Sequence, residues 1–439
     1  MFIEYNPFSI RKYMNKLEES GYFNGSVLVG YKGDILLSRG YGWSNIEHAV
    51  RNTPQTKYRI GSITKGFTAM AILQLQEQGL LSVLEPISHY LPDFPKGDQI
   101  TIHHLLTHTS GIPDFVKFPD YWTRIMRLPS TLDQTIDLFK NLPLEFTPGE
   151  RFSYCTSSYI LLTKIIELLS KQSYARFLSR YIFNPLKMNK TGVDNGRTIV
   201  NHLASGYSVW KEKIHTEHVD MSIPVGGYGM YSTVEDLYRW DQALYTNKLV
   251  SYESLQSMFT PYQANYGYGW AIQQMEIGNK NHTCISHYGD INGFCGNILR
   301  FVNDHLTVIV LSNLNITPVT WIGKNLASLF FGVPVSFPEL ATPIDLSERE
   351  VQRITGTYHI ENSERKLTIT HEEGQLYIRV TKMHGAPFQY PIHPVSITED
   401  YIRCRAEYID ETLVFHINQT PTQLMYREMD QTHIAFQLS

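Results

Sequence analysis

A serine and a lysine three residues apart are the first residues of this sequence that could do chemistry together. They are Ser62 and Lys65, the ends of the segment Ser62-Ile63-Thr64-Lys65. A hydroxyl is a poor nucleophile at its ordinary pKa and needs a nearby base. Residues i and i+3 share one face of a helix, so Lys65 can reach the Ser62 hydroxyl, and burial can lower a lysine pKa toward neutrality. Taken alone, the motif favours a structural interpretation, a capped helix with a surface lysine.

A tyrosine could add a proton shuttle to this pair. Tyr154, Cys155 and Thr156 stand just before an apolar stretch that predicts a buried helix. A tyrosine beside a lysine could have its phenol pKa lowered and pass protons between reacting groups. The alternative is an ordinary core tyrosine.

A third group, on or near a predicted strand, could bind substrate. It comprises His287, Tyr288 and Gly289, followed by Asp290. A glycine there lets a substrate backbone lie against the strand edge. The backbone N–H of Asp290 could then pair with that of Ser62 as an oxyanion hole. The alternative is a turn with a solvated histidine.

The elements that must position these groups follow from hydrophobic periodicity. A helical face is predicted near the start of the chain, formed by Ile10, Tyr13, Met14 and Leu17. Further predicted elements are a hairpin of Gly25–Tyr31 and Asp34–Gly42, helices over Ser62–Leu81 and Ser157–Ser173, and strands near Ile285–Asn297 and Leu306–Ser312. Ser62 is a good N-cap type for its helix. This order predicts an α+β fold, in which one antiparallel sheet is built from both ends of the region and is flanked by helices.

The last quarter of the chain has a different composition. Pro334, Pro338 and Pro343 interrupt the sequence, which predicts a linker over residues 333–345. Beyond it, short alternating strands separated by acidic or glycine-containing turns predict a small antiparallel barrel or sandwich. We therefore predict three parts: a catalytic domain over 1–332, the linker, and a β domain over 346–439.

Composition excludes several classes of protein. The 439 residues are 42% hydrophobic and 18% charged, with a formal net charge of −4 and no basic run that would track nucleic-acid phosphates. The four cysteines, Cys155, Cys284, Cys295 and Cys404, form no CxxC pair, and free thiols are expected. No stretch has the length of a membrane span, and the start lacks a signal-peptide pattern. As written, the sequence predicts a cytoplasmic protein, or an exported one if the true start lies upstream.

Seven segments between Phe23 and Phe331 resemble class C β-lactamases, low-molecular-mass penicillin-binding proteins and related D-peptidases and esterases. The segments are FNGSVLVGYKGDILLSRGYGWSN, YRIGSITKGFTAMAILQLQEQGLL, ITIHHLLTHTSGIPDF, GERFSYCTSSYILLTKIIELLSKQSYARFL, GGYGMYSTVEDLYRW, YGYGWAI and HYGDINGFCGNI. The β domain, in turn, resembles a small lipocalin-like barrel appended to some of these relatives. The resemblance therefore implies a β-lactamase/transpeptidase-like fold with an added C-terminal barrel.

The resemblance also implies roles for individual residues. Ser62 would be the acylated nucleophile, Lys65 its activating base and Tyr154 a partner in proton transfer. The backbone N–H groups of Ser62 and Asp290 would form the oxyanion hole. Substrate-binding roles would fall to Thr156, His287 and Gly289.

Two of these positions depart from the common pattern. His287 replaces a lysine that many relatives carry, and its charge would be conditional near neutral pH. Thr156 stands where relatives usually have asparagine or serine, which puts substrate recognition in doubt more than nucleophile activation.

Neither a metal nor a nucleotide is expected. His104 and His108 have a spacing that can bind zinc, but no glutamate stands in an HExxH position and no third ligand is in view. The glycines of Gly226–Gly229 do not form a dinucleotide-binding motif. The expected cofactor set is therefore empty.

The predicted function is hydrolysis through an acyl-serine intermediate. Expected substrates are D-amino-acid peptides or amides, β-lactams and small esters. Thr156 also permits a catalytically weak penicillin-binding or ligand-binding module that kept the pocket. Neither nucleic acid nor a membrane is expected as a partner, and the oligomeric state does not follow from the sequence.

Overall fold

Two large β-sheets organise the computed structural model, which describes residues 7–338, 341–381, 387–429 and 431–438. Its strands are β1 (Gly25–Tyr31), β2 (Asp34–Tyr41), β3 (Trp43–Asn45), β4 (Val50–Arg51), β5 (Tyr58–Arg59), β6 (Gly192–Val193), β7 (Tyr207–Trp210), β8 (Glu212–His215), β9 (Met230–Ser232), β10 (Ala271–Ile277), β11 (Lys280–Ile291), β12 (Phe294–Phe301), β13 (Leu306–Ser312), β14 (Gly356–Ile360), β15 (Lys366–Glu372), β16 (Gln375–Thr381), β17 (Pro387–Ile397), β18 (Tyr401–Ala406), β19 (Glu411–His416), β20 (Gln423–Glu428) and β21 (Gln431–Gln437). Its helices are α1 (Pro7–Glu19), α2 (Thr64–Glu77), α3 (Ile102–Leu106), α4 (Leu132–Asp137), α5 (Thr156–Ser170), α6 (Tyr174–Leu178), α7 (Asn184–Leu186), α8 (Val225–Tyr228), α9 (Val234–Ala243), α10 (Tyr252–Met258), α11 (Val319–Phe330) and α12 (Glu348–Ile354).

The first sheet has six antiparallel strands in the order β10-β11-β12-β13-β1-β2. The hairpin near the start of the chain therefore pairs with strands that follow more than 200 residues later, so the prediction of one sheet built from both ends is confirmed. The single strand-like region predicted near residues 285–297 is two strands, β11 and β12. They are joined by a tight turn at Asn292 and Gly293.

Helices cover both faces of this sheet, so its strands are largely buried. Helix α1 packs on one face with α11, and the four apolar residues predicted as its buried side are all in that core. Helices α2 and α5 lie in the larger core on the other face. Helix α2 begins at Thr64 and α5 at Thr156, close to the predicted starts.

Eight strands, β14 to β21, form a closed antiparallel barrel, because β16 also pairs with β17. The predicted C-terminal barrel is thereby confirmed. Strand β17 was not predicted, since its sequence PFQYPIHPVSI contains three prolines, a residue type depleted in strands. The pairing of β17 with β18 shifts register between Pro394 and Ser396, which accommodates one of these prolines.

The barrel and the first 332 residues share a sheet and a core. The hairpin of β7 and β8 extends the barrel sheet through a parallel pairing of Trp210 with Gln389. Tyr207, Leu314 and Ile316 belong to the same buried cluster as the barrel interior. The predicted domain boundaries stay a prediction, but the two parts are not packed independently.

The predicted linker is irregular in the part of it that the structure describes, and residues 339 and 340 lie outside the described residues. Val333, Val335 and Phe337 pack against the core that contains α1. The Ile344 N–H donates to the Pro394 carbonyl at 2.8 Å. This segment therefore contacts both the core that contains α1 and the barrel.

The four cysteines are buried free thiols. Strand register places Cys284 opposite Phe301 and Cys295 opposite Asp290, so the two cysteines do not face each other across the β11–β12 hairpin. No helix in the described part of the chain is long and apolar enough to cross a membrane.

Candidate active site

Ser62 lies in a short 3₁₀ turn, Gly61–Ile63, directly before α2. The predicted N-cap role of Ser62 is wrong, because Ile63 occupies the cap position of α2 and makes no side-chain capping bond. Gly61 has φ +52°, and a Cβ there would collide with the backbone of Asp290. The sequence therefore needs glycine at this position to seat the serine turn against strand β11.

Lys65 lies under the serine and is fully buried. Its Nζ is 2.9 Å from Ser62 Oγ and donates a second bond of 2.9 Å to the Gly227 carbonyl. Burial lowers the lysine pKa from 10.5 to about 7, against the opposing effects of Asp114 and Asp290. A pKa near neutrality lets the uncharged amine form at neutral pH, where it can accept a proton.

Tyr154 covers the same lysine from the other side. Lys65 Nζ lies 4.8 Å from the centroid of the tyrosine ring. Burial raises the phenol pKa well above its ordinary value, and the interaction with the Ser62 side chain offsets only part of the rise. The expectation of a lowered Tyr154 pKa is wrong, because desolvation of the phenolate is the largest effect on this group. Tyr154 therefore stays protonated in the resting site.

His108 holds Tyr154 in place, a role that sequence reasoning missed. The His108 carbonyl accepts the Ser153 N–H at 2.9 Å, and Nδ1 accepts the Cys155 N–H at 3.0 Å. The imidazole also packs on the Tyr154 ring, with centroids 4.3 Å apart. Burial lowers the His108 pKa well below its ordinary value, so the ring stays neutral.

His104 lies in the first turn of α3. His104 and Thr101 cap the start of this helix through reciprocal hydrogen bonds, and no metal-binding cluster occurs among the described residues.

Asp114 is a second site residue that the sequence analysis did not single out. Its carboxylate is buried and accepts the Thr156 N–H at 3.0 Å. Thr156 begins α5 and turns its methyl group toward Gly227, the residue whose carbonyl holds Lys65. Asp114 lies in ITIHHLLTHTSGIPDF, one of the seven segments that resemble relatives. This resemblance is the sequence signal that could have identified Asp114 as a site residue. Its contact with α5 is tertiary and does not follow from that pattern.

Gly289 and Asp290 lie on β11 beside the serine turn. A Cβ on Gly289 would be 2.9 Å from the backbone nitrogens of both Ser62 and Ile63. Only glycine lets the strand approach the turn this closely. The backbone of Asp290, also on β11, packs directly against Gly61. The backbone N–H groups of Ser62 and Asp290, which are predicted to form an oxyanion hole, therefore belong to two segments in direct contact.

His287 is not the exposed, titrating side chain that the sequence suggested. Its Nδ1–H donates to the Tyr288 carbonyl at 2.5 Å, and Nε2 accepts from the Tyr266 hydroxyl at 2.9 Å. Burial, with a smaller effect of Lys65, lowers its pKa to about 3. The expectation of a conditional charge near pH 7 is therefore wrong. His287 is a neutral residue with both ring nitrogens engaged.

Similarity to known proteins identifies the family of this chain. A family model described as Beta-lactamase matches residues 10–328, which is most of the chain. The chain belongs to the beta-lactamase family. The predicted relationship is thereby confirmed for the region that holds every site residue described above.

Relatives within the beta-lactamase family include penicillin-binding proteins of Bacillus subtilis. Penicillin-binding protein 4* is 30% identical over 427 residues, which cover 90% of this chain and 92% of the relative. The putative penicillin-binding protein PbpX is 33% identical over 65% of this chain and 70% of its own length.

Solved structures show the same fold over most of this chain. The octameric penicillin-binding protein homologue from Pyrococcus abyssi has a TM-score of 0.66 at 27% identity, covering 97% of this chain and 99% of that one. A D-amino acid amidase from Ochrobactrum anthropi shares the fold, with a TM-score of 0.63 at 22% identity, over 73% of this chain and 98% of the amidase.

Several of the predicted site residues come together around Lys65. Ser62, Tyr154 and Gly227 contact its ammonium group directly, while Thr156 contacts Gly227. His287 lies beyond Tyr154, and the centroids of their two rings are 6.4 Å apart. The roles of these residues in catalysis stay predictions.

Proposed function

We propose that this protein is a serine hydrolase that forms an acyl-enzyme on Ser62. The observation that carries the proposal is the 2.9 Å separation of Lys65 Nζ from Ser62 Oγ. The lysine is buried and has a pKa of about 7. A nucleophile within hydrogen-bond reach of a base whose pKa lies near neutrality is what acyl transfer needs.

In the acylation step, Ser62 Oγ attacks the substrate carbonyl carbon and forms the new C–O bond. The hydroxyl proton passes to Lys65 Nζ. The negative charge that develops on the carbonyl oxygen accepts hydrogen bonds from the N–H groups of Ser62 and Asp290. The bond from carbonyl carbon to the leaving nitrogen or oxygen then breaks, and the leaving group takes the proton.

Tyr154 supplies the path for that proton. Its phenol interacts with the Ser62 side chain and stays protonated, so it can donate to the leaving group while Lys65 returns a proton to the phenol oxygen. Deacylation repeats the sequence with water in place of Ser62: water attacks the ester carbon, its proton passes to the base, and Ser62 leaves with a proton. The products are a carboxylic acid and the restored serine.

The substrate class we propose is D-amino-acid peptides and amides, small esters and, more weakly, β-lactams. Relatives at 30% and 33% identity carry the name penicillin-binding protein, which supports a site that fits an acylated D-residue. The neutral His287 supports substrates whose leaving side lacks a free carboxylate. No fixed positive charge is available from that residue to bind one.

A turnover panel tests the proposal. Wild type, Ser62→Ala and Lys65→Met are compared on a D-alanyl p-nitroanilide, a p-nitrophenyl ester and a chromogenic cephalosporin. Lys164→Met serves as the matched control, since Lys164 lies on α5 and pairs with Asp133 on the surface. We expect hydrolysis by wild type and by the control, and none by Ser62→Ala. Turnover retained by Ser62→Ala would refute the proposal.

The panel also separates hydrolysis from simple binding. A stable acyl adduct without release of product would favour the module that kept the pocket but lost turnover. Thr156 is the residue that would account for this outcome, because it stands where relatives usually have asparagine or serine.

A further inference from the structure

The loop that carries Asp114 is fastened to the start of α5 by a set of buried hydrogen bonds. Asp114 Oδ1 accepts the Thr156 N–H at 3.0 Å, and the Ser157 backbone also stabilises the charged form of this carboxylate. In return, Ser157 Oγ donates to the Pro113 carbonyl at 2.7 Å and accepts the Phe115 N–H at 3.1 Å. A carboxylate at this place satisfies helix N–H groups that have no partner within the helix.

These bonds lead in two steps to the lysine. Asp114 holds Thr156, and the methyl group of Thr156 packs against Gly227. The methyl carbon is 3.0 Å from the position that a Cβ on Gly227 would occupy. The Gly227 carbonyl accepts from Lys65 Nζ at 2.9 Å, and the same nitrogen is 2.9 Å from Ser62 Oγ. The position of Asp114 therefore bears on the position of the base and of the nucleophile.

Asp114 is also one of two carboxylates whose charge acts on Lys65; the other is Asp290 on β11. The remaining ionisable groups around the lysine are uncharged at neutral pH. His108 and His287 have lowered pKa values, whereas Tyr154, Cys155 and Tyr159 have raised ones. Asp114 itself faces Lys117, an exposed lysine that offsets part of the rise that burial causes in the Asp114 pKa.

We propose that Asp114 is a positioning residue for the base Lys65: its buried carboxylate fixes the start of α5 against Gly227 and provides a negative charge that favours the ammonium form. This inference rests on the proposed function for its meaning in catalysis. The charge and the contacts can be separated, because asparagine keeps an acceptor oxygen for the Thr156 N–H but carries no charge.

The test is a titration of Lys65 in the full chain. Protein labelled with [6-¹³C]lysine reports the Lys65 pKa from the ε-carbon shift, assigned with Lys65→Arg, and this readout needs no turnover. Asp114→Asn should lower the Lys65 pKa by about one unit, the usual size for loss of a nearby opposite charge. Asp137→Asn, on the surface of α4, is the matched control and should leave it unchanged. Asp114→Ser, another neutral capping type, replaces the asparagine variant if that one does not fold.

Acylation rates supply the second readout. The acid limb of the rate should move to lower pH with the lysine pKa, so at pH 6 the neutral fraction of Lys65 rises about fivefold in Asp114→Asn. Asp114→Ala should show the same displacement of the limb but a lower plateau rate than Asp114→Asn, because alanine has no acceptor for the Thr156 N–H. A merely structural role would change the height of the profile and not its position.

The two proposals fail in different ways. If wild type never acylates, the proposed function is wrong, and the carbon titration still tests Asp114. If wild type acylates and its Lys65 pKa is the same in Asp114→Asn or Asp114→Ser, the role of Asp114 is wrong while the hydrolase assignment stands.

Discussion

Replacing Lys65 with methionine should abolish acylation and remove a large part of the pH dependence of stability. A lysine whose pKa falls from 10.5 to about 7 on folding loses protons that it keeps in the unfolded chain. The unfolded state then binds more protons between these two pKa values, so the free energy of unfolding rises with pH in this window. Below pH 7 the penalty is fully present, and above pH 10.5 it is gone.

The size of the effect follows from the shift. At 1.36 kcal/mol per pKa unit, the full penalty is about 5 kcal/mol. Between pH 6 and pH 9 the wild type should gain about 2 to 3 kcal/mol through this one group. Methionine fills a similar volume without charge, but it leaves the Gly227 carbonyl without the lysine donor, at a cost of about 1 to 3 kcal/mol. At pH 6, Lys65→Met should therefore be more stable than wild type by about 2 to 4 kcal/mol.

Urea unfolding of wild type, Lys65→Met and Lys164→Met at pH 6, 7, 8 and 9 measures this difference. Comparing proteins at each pH cancels the other titrating groups. We expect the wild type and the Lys164→Met control to gain stability in parallel, and the Lys65→Met curve to rise less over the same range. Parallel curves for wild type and Lys65→Met would refute the lowered pKa and, with it, the assignment of Lys65 as base.

Three further predictions concern other parts of the molecule. Tyr154→Phe should slow acylation and deacylation by about 10²- to 10⁴-fold in stopped-flow measurements while the melting temperature changes little, because the ring still packs on His108; unchanged rates would assign Tyr154 to the core alone. The ratio of kcat/KM for a D-Ala-D-Ala peptide and its C-terminal amide should stay constant from pH 5 to pH 9, since His287 is neutral throughout this range; a ratio that rises as pH falls would mean that His287 becomes charged. A chain ending at Phe337 should aggregate or unfold at lower urea than the full chain, because it exposes apolar residues such as Tyr207 and Leu314; a truncated chain as stable and active as the full one would show that the barrel is dispensable.

Local features of the site followed from the sequence. The spacing of Ser62 and Lys65 fixes their distance through helical geometry alone, so their contact could be predicted without the rest of the fold. The buried face of α1 and the first hairpin followed from periodicity for the same reason. Each of these depends on residues close together in the chain.

What could not be predicted depends on distant residues. A histidine in an open site would keep its ordinary pKa, whereas burial, with a smaller effect of Lys65, makes His287 neutral. Tyr154 was expected to respond to Lys65, but its pKa is set mainly by desolvation, which the sequence does not show. Asp114 acquires its role only where its loop meets α5.

The same limit applies to the join between the two sheets. The hairpin of β7 and β8 contains ordinary strand residues, and nothing in its sequence indicates that it pairs with a strand about 180 residues later. The barrel was predicted as a separate unit for that reason. Its contact with the hairpin is a tertiary property.

Mass spectrometry of the intact protein, followed by peptide mapping, tests the central claim most directly. Wild type and Ser62→Ala are each incubated with a penicillin and with an activated D-alanyl ester, then quenched in acid. We predict that wild type gains the mass of one acyl group on the peptide that contains Ser62, with at least one of the two reagents, and that Ser62→Ala gains none. An adduct on another residue, or hydrolysis of either reagent by Ser62→Ala at the wild-type rate, would contradict the account.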